Sequence, residues 1–373
     1  MPGPDITPPK NKQPATIFIF LRRIIRAGVA LALLVQPFSS RAEWKSSDLQ
    51  SSAGQSASTP PQSSSSQPQS GAATQSPADL SKQQSDQNGT FVIRTDVDEV
   101  LLHATVIDDK QHIVTNLDRN AFSVFEDGKP QNIISFHHED IPVAMGIVID
   151  NSGSMREKRA KVNQAALNLV RSSNPQDEVF VVNFNDEYYL DQDFTNDLLK
   201  LKEALEKIDA KGGTALYEAV VASADHLKRN ARLERKVLFV VTDGEDNASR
   251  ETLEQAVKQL QDENGPSVYA IGILGDEDHP KRARRALEII TQRTGGLAFF
   301  PKTLDEVDEI SRQVAHDIRN QYTIGYKPTN PKTSGGFRTI RVEAKGKGHG
   351  KLMVRTKSGY YAGSGPVAGA KLR

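Results

Sequence analysis

The 373-residue chain contains no cysteine, and that one absence removes disulfides, thiolate zinc sites and cysteine nucleophiles together. Any metal must then be held by oxygen or imidazole. An excess of charge is missing as well: 47 basic residues balance 47 acidic ones, so composition gives no pull toward nucleic acid or an anionic membrane surface. The apolar run at residues 27–35 falls well short of the roughly 20 residues that cross a bilayer. Catalytic signatures are also missing. There is no Gly-x-Ser-x-Gly elbow around Ser152 or Ser154, no Gly-x-x-x-x-Gly-Lys phosphate loop, and no second aspartate two residues after Asp150. The eight histidines show no metal-ligand spacing, and the adjacent pair His137-His138 would point to opposite faces of a strand, as surface or edge residues do.

With 37% hydrophobic residues the chain can fill real cores, and its length suits two ordinary domains. Its start reads as a targeting segment. Lys10, Lys12, Arg22, Arg23 and Arg26 precede the apolar run, and Ser40-Arg41-Ala42 sets small residues where a signal peptidase reads. Residues 1–42 are therefore expected to be a signal peptide, cleaved after Ala42, and the protein to be exported to the periplasm, cell envelope or exterior. Left uncleaved, this segment would be the one expected membrane contact. Arg22-Arg23-Ile24-Ile25 is similar to a twin-arginine signal, which leaves the export route open. Residues 43–89 are dominated by Ser, Gln, Pro, Ala and Gly and cannot bury enough surface to offset ordering. They are expected to be a disordered tether with a reach of about 35 to 40 Å. Residues 363–373 are expected to be a disordered tail.

Residues 90–141 alternate apolar and polar positions, as in Val100, Leu102, Ala104 and Val106, then Phe122 and Val124, then Ile133. Asp127-Gly128 marks a hairpin turn. Such strands are too few to close a two-sheet core alone. Residues 321–362 supply further strand-like runs at 321–326, 337–344 and 350–355. The two blocks are expected to form one small β-sandwich into which residues 142–320 are inserted, an arrangement favoured by the closeness of chain ends in compact domains.

The middle block alternates apolar strands, at 143–149, 178–184, 237–242, 268–274 and 297–300, with amphipathic helices at 157–172, 197–208, 215–228, 250–262, 282–294 and 304–320. That pattern predicts an α/β fold, a doubly wound, mostly parallel sheet covered on both faces. Sheets of this kind bind ligands beyond the carboxyl ends of their strands.

Three loops place oxygen donors at those ends. Asp150-Asn151-Ser152-Gly153-Ser154 closes the first strand with a carboxylate and two hydroxyls at alternate positions. Lys211-Gly212-Gly213-Thr214 brings a hydroxyl to the start of a helix, and Thr242-Asp243-Gly244-Glu245-Asp246 carries a carboxylate out of a second strand. Hard oxygen donors at this density suit a divalent cation such as Mg²⁺, with Mn²⁺ as a substitute. Taken singly, Ser152 or Ser154 reads more readily as a helix cap than as a ligand. Residues 243–254 are loosely similar to an EF-hand loop, but Ala248 stands at its glycine position, so Glu251 and Glu254 read better as first-turn helix charges. A hydrolase built on the metal would need a general base near Asp150, for which Glu245 and Asp246 are the candidates.

The set Asp150, Ser152, Ser154, Thr214 and Asp243 resembles the metal-ion-dependent adhesion site of von Willebrand factor type A domains, a family that includes integrin I domains. The resemblance covers residues 143–320. It implies that Ser152, Ser154 and Thr214 reach Mg²⁺ through their hydroxyls, and that Asp150 and Asp243 act directly or through water. The remaining position would take an Asp or Glu carboxylate from a protein partner. The flanking stretches Phe122-Ser123-Val124-Phe125-Glu126-Asp127-Gly128-Lys129-Pro130, Tyr322-Thr323-Ile324-Gly325-Tyr326-Lys327-Pro328 and Arg355-Thr356-Lys357-Ser358-Gly359-Tyr360-Tyr361 resemble the acidobacterial von Willebrand type A-related proteins. The function this implies is a non-enzymatic, exported module that binds protein through a cation. An interaction scaffold with a structural or vestigial metal site is the alternative.

Overall fold

The computed structural model describes residues 99–207, 209–275 and 279–363. The expected signal peptide, the tether, and the tail from residue 364 lie outside the described residues. Alternation puts Val100, Leu102, Ala104 and Val106, all fully buried, on one face of β1 (Val100–Ile107). After β2 (Phe122–Glu126) the chain reverses through Asp127 (φ 49°) and Gly128 (φ 76°) into β3 (Lys129–Gln131). Two successive positive φ values are what a tight two-residue hairpin needs, and an Asp-Gly pair supplies them at least steric cost. Strand β4 (Ile133–His137) completes this block.

Every residue of β5 (Val143–Asp150) is buried, as a central parallel strand requires. Next come α1 (Arg159–Ser172), β6 (Glu178–Phe184), β7 (Tyr188–Thr195), α2 (Leu198–Glu206) and α3 (Leu216–Asn230). The unit continues through β8 (Arg235–Thr242), α4 (Leu253–Leu260), β9 (Ser267–Gly272), α5 (Pro280–Thr294), β10 (Ala298–Phe299) and α6 (Glu306–Arg319). The six strands form one sheet in the order β10-β9-β8-β5-β6-β7, parallel except for β7, which runs antiparallel to β6 at the edge. Two elements differ from expectation. Strand β7 had no predicted counterpart, and α4 begins at Leu253 because Thr252 forms a capping box with Gln255.

Successive residues of β5 face opposite sides. Met145, Ile147 and Ile149 pack with α1, α2 and α6, while Ala144 and Val148 pack with α3, α4 and α5. The chain leaves β5 toward β6 on one side and leaves β8 toward β9 on the other. The strand order therefore reverses between β5 and β8, which opens a crevice at their carboxyl ends.

Past α6, β11 (Tyr322–Tyr326), β12 (Phe337–Ala344), β13 (Met353–Arg355) and the unanticipated three-residue β14 (Gly359–Tyr361) return to the first block. They make two antiparallel sheets, β13-β1-β11-β4 and β14-β12-β2-β3, each mixing strands from before and after the insertion. The sheets share one core, in which Leu102, Ile324 and Tyr322 meet Phe122, Val124 and Val342. Within it Arg338 (1% exposed) pairs with Glu126 (2% exposed) at 3.1 Å, and the hydroxyls of Tyr326 and Tyr360 donate to the other carboxylate oxygen at 2.5 and 2.9 Å. This sandwich meets the amino ends of the parallel strands: Arg235, opening β8, donates to Ile318 O and to Gln321 Oε1, and Gln321 donates to Tyr269 and Thr105. The carboxyl ends are left facing away from it. Among the described residues no helix is long and apolar enough to cross a membrane.

Candidate metal centre

Asp150 is the last residue of β5 and is fully buried. Its Oδ1 accepts the Ser152 N–H at 2.7 Å, which tightens the turn, and its Oδ2 accepts the Thr242 hydroxyl at 2.6 Å from the end of β8. Burial pushes its carboxyl up to about 6, against the pull of those two hydrogen bonds and with the charge of Asp243 adding to the rise. The turn then enters a 3₁₀ segment, Gly153–Met155, before α1 begins. That segment brings the two serines together, with Ser152 Oγ 3.1 Å from Ser154 Oγ, and the Ser154 hydroxyl donates to Asp243 Oδ1 at 2.8 Å. Four of the five predicted residues are thus linked through hydrogen bonds of this one turn and the two strand ends.

Thr214 reaches the same place on a separate loop. Gly153 N–H donates to Gly212 O at 3.1 Å and Lys211 N–H to Asn151 O at 2.8 Å, so the two loops are joined by backbone. Gly212 has φ +79°, and a Cβ there would collide with the Asp186 carboxylate, whose Oδ1 accepts the Gly213 N–H at 2.8 Å. Only glycine satisfies both conditions. Asn247 fixes Thr214 itself: its Oδ1 accepts the Thr214 N–H at 2.8 Å and its own N–H donates to Thr214 O at 3.0 Å. The Thr214 hydroxyl lies 3.8 Å from where a Cβ on Gly244, the residue after Asp243, would stand.

Sequence reasoning did not mark several residues that shape this site. Lys158 Nζ stands 2.5 Å from Asp243 Oδ2. Arg159 is buried next to Asp150, donates to Leu205 O at 2.6 Å and to Asn183 Oδ1 at 3.3 Å, and is lowered to about 10 by burial, an effect that attraction to Asp150 opposes. Thr242 reads in the sequence as the end of a strand and Asn247 as a polar loop residue; only the spacing of the folded loops gives them these tasks. Both polar atoms of the Asn151 side chain are buried with no protein partner.

The donor set is two carboxylates and three hydroxyls, all hard oxygens, next to an unpartnered buried amide, and it fits a cation of the Mg²⁺ class. Among the described residues no cluster of three or more His, Cys, Asp or Glu is placed to hold a metal, so a cation here depends on the hydroxyls. The EF-hand-like spacing is not used as an ion loop: Asp246 accepts from Tyr217 N–H and Ser249, and Glu251 accepts from Gln259 ahead of the Thr252 cap.

The sequence model described as von Willebrand factor type A domain matches residues 145–245, the stretch running from β5 through all three loops. The inserted unit carries a von Willebrand factor type A domain. Structures similar to the chain include a von Willebrand factor type A protein from Catenulispora acidiphila, 14% identical over 72% of this chain and 74% of that one, with a TM-score of 0.41. They include the PilB minor pilin of Streptococcus sanguinis, 13% identical over 49% of this chain and 63% of that one, TM-score 0.41. A third is the vWF domain of the type V pili tip protein Mfa5 from Porphyromonas gingivalis, 13% identical over 48% of this chain and 97% of that one, TM-score 0.39. No curated protein matches the chain. In the type A domain described here, the matched stretch ends at Glu245, two residues past Asp243, so it contains all five candidate ligands.

Proposed function

We propose that this is an exported, non-enzymatic module that binds a protein partner through a divalent cation. Mg²⁺ would be held by Ser152, Ser154 and Thr214 with Asp150 and Asp243, and an Asp or Glu carboxylate of the partner would complete its shell. The observation that carries this reading is the convergence of Asp150, Ser152, Ser154 and Asp243 from two adjacent strand ends, with Ser154 bonded to Asp243 at 2.8 Å. An ion that wants near-octahedral oxygen geometry at about 2.0 to 2.1 Å, and is given an incomplete protein shell, is an acceptor for one more oxygen. The alternative of a metal-dependent hydrolase is weakened by its general-base candidates, since Glu245 faces Arg282 at 3.8 Å and Asp246 is engaged by Tyr217 and Ser249.

A second reading, an interaction scaffold whose metal site is vestigial, is favoured by one observation: Lys158 already supplies a positive charge to Asp243. Pull-down from the native envelope fraction with and without EDTA separates the two. Capture of a partner that EDTA abolishes and Asp243→Ala prevents supports the cation-dependent module; capture that survives both supports the scaffold. Isothermal titration with Mg²⁺ or Mn²⁺ should show one site in the wild type and none in Asp243→Ala.

A further inference from the structure

Lys158 sits immediately before α1, where the loop from Asp150 turns into the helix, and its side chain reaches back to Asp243 Oδ2 at 2.5 Å. The other oxygen, Oδ1, takes the Ser154 hydroxyl. Asp243 is wholly buried, whereas the Lys158 side chain keeps 21% of its exposure, so the ammonium covers the carboxylate from the solvent side. A helix start is an unfavourable place for a positive charge, and the first turn of α1 holds no acidic residue to offset it. Asp243 supplies the counter-charge that the helix start does not.

Resting on the reading of this site as a metal centre, we propose that Lys158 is a tethered cation that competes with the divalent ion for Asp243, so that the site fills by exchange of one cation for the other. Each half of the exchange is enforced by charge. With the ammonium in place, a divalent ion at the same carboxylate would be held a few ångströms from a like charge in a partly buried setting, where repulsion is strong. With the ammonium gone and nothing in its place, Asp243 would be a buried carboxylate facing Asp150 without that counter-charge, a strongly destabilising state in comparable buried pairs. The lysine therefore leaves only when another cation arrives. Arg159 cannot act in this way. Its guanidinium is buried and tied to Leu205 O and Asn183, whereas an ammonium on a flexible four-carbon stem at the surface can swing clear.

The alternative is an ordinary ion pair that steadies the loop and has no bearing on metal uptake. Calorimetric titration with Mn²⁺ on the full chain distinguishes them, using wild type, Lys158→Met, Lys158→Gln and the double variant Lys158→Met with Asp243→Ala. Methionine keeps the length of the stem without its charge, and the glutamine variant stands in if the first folds poorly. The expected result is a Kd for Mn²⁺ lower by about tenfold or more in both single variants. The metal-free single variants should also melt below wild type, with a larger Mn²⁺-induced rise in Tm, and the double variant should lose binding. Binding by the single variants alone would be the strongest support. Should wild type bind Mn²⁺ and the single variants bind it no more tightly, competition is refuted while the metal centre stands. Tightened binding that survives loss of Asp243 also refutes it, because the ion is then held elsewhere. Absence of binding in every protein refutes the metal centre and the exchange together.

Discussion

Thr242 and Asp150 end neighbouring parallel strands, and the threonine hydroxyl donates to Asp150 Oδ2 at 2.6 Å. It is one of the donors that keep a fully buried carboxylate tolerable. Thr242→Val retains the shape and removes the donor, and should lower stability by about 1.5 to 3 kcal/mol in urea unfolding, the usual cost of a hydrogen bond to a charged group. Asp150 should then titrate still higher than about 6, as read by carboxyl NMR. An unchanged Asp150 would mean that the Thr242 hydroxyl has no hold on its ionisation.

Asn247 is not a candidate ligand itself but holds Thr214 by two hydrogen bonds, one of them through its side chain. Asn247→Ala should weaken Mn²⁺ binding by about tenfold to a hundredfold, the range seen when partners that orient metal ligands are removed. Equal affinity in wild type and variant would show that Thr214 is not a ligand or needs no orienting.

Glu126 precedes the insertion and Arg338 follows it, so their pair ties the two halves of the sandwich. Arg338→Met leaves Glu126 buried without its counter-charge and should cost about 3 to 5 kcal/mol. Amide exchange should rise together in β2 and β12; faster exchange confined to β12 would show that the halves are stable separately.

Asp177 is 4% exposed and accepts the N–H groups of Val143 and Asn174. Burial, its largest influence, raises its carboxyl from 3.8 to about 6, with Asp140 adding to the rise and Arg235 opposing it. A folded value above the unfolded one means that Asp177 favours the fold below pH 3.8 and that this contribution is lost as pH rises through about 6. Asp177→Asn should therefore gain on wild type by about 2 to 3 kcal/mol between pH 4 and 7. Urea midpoints at three pH values in that range test it, and a constant difference would refute it.

Much of this architecture can be read from residue order. The run from Val143 to Asp150 has no polar residue until its end, and oxygen-rich turns follow both β5 and β8, so the parallel sheet and its loaded edge are legible. Strand β7 is not. Asp191, Gln192 and Asp193 interrupt any apolar pattern, and its pairing with β6 shifts register twice, so it exists through its neighbour and not through its own periodicity. The three residues of β14 are likewise ordered by β12. Lys158 was hidden for another reason. Eight residues past Asp150 it reads as the start of a helix, and only the 3₁₀ segment Gly153–Met155 folds the chain so that its side chain points back.

Strand β5 runs from the sandwich, at Val143, to the candidate site, at Asp150, and is paired at seven positions on each side, with β6 and with β8. On the proposed reading, traction on a partner at this site would act along the strand axis, loading two seams in shear instead of peeling one hydrogen bond at a time. Behind it, the strands by which the chain enters and leaves the insertion, β4 and β11, are themselves paired, from His137 with Thr323 to Ile133 with Tyr326. Only residues 138–142 separate β4 from β5, so a pull along β5 passes into the sandwich through one short link.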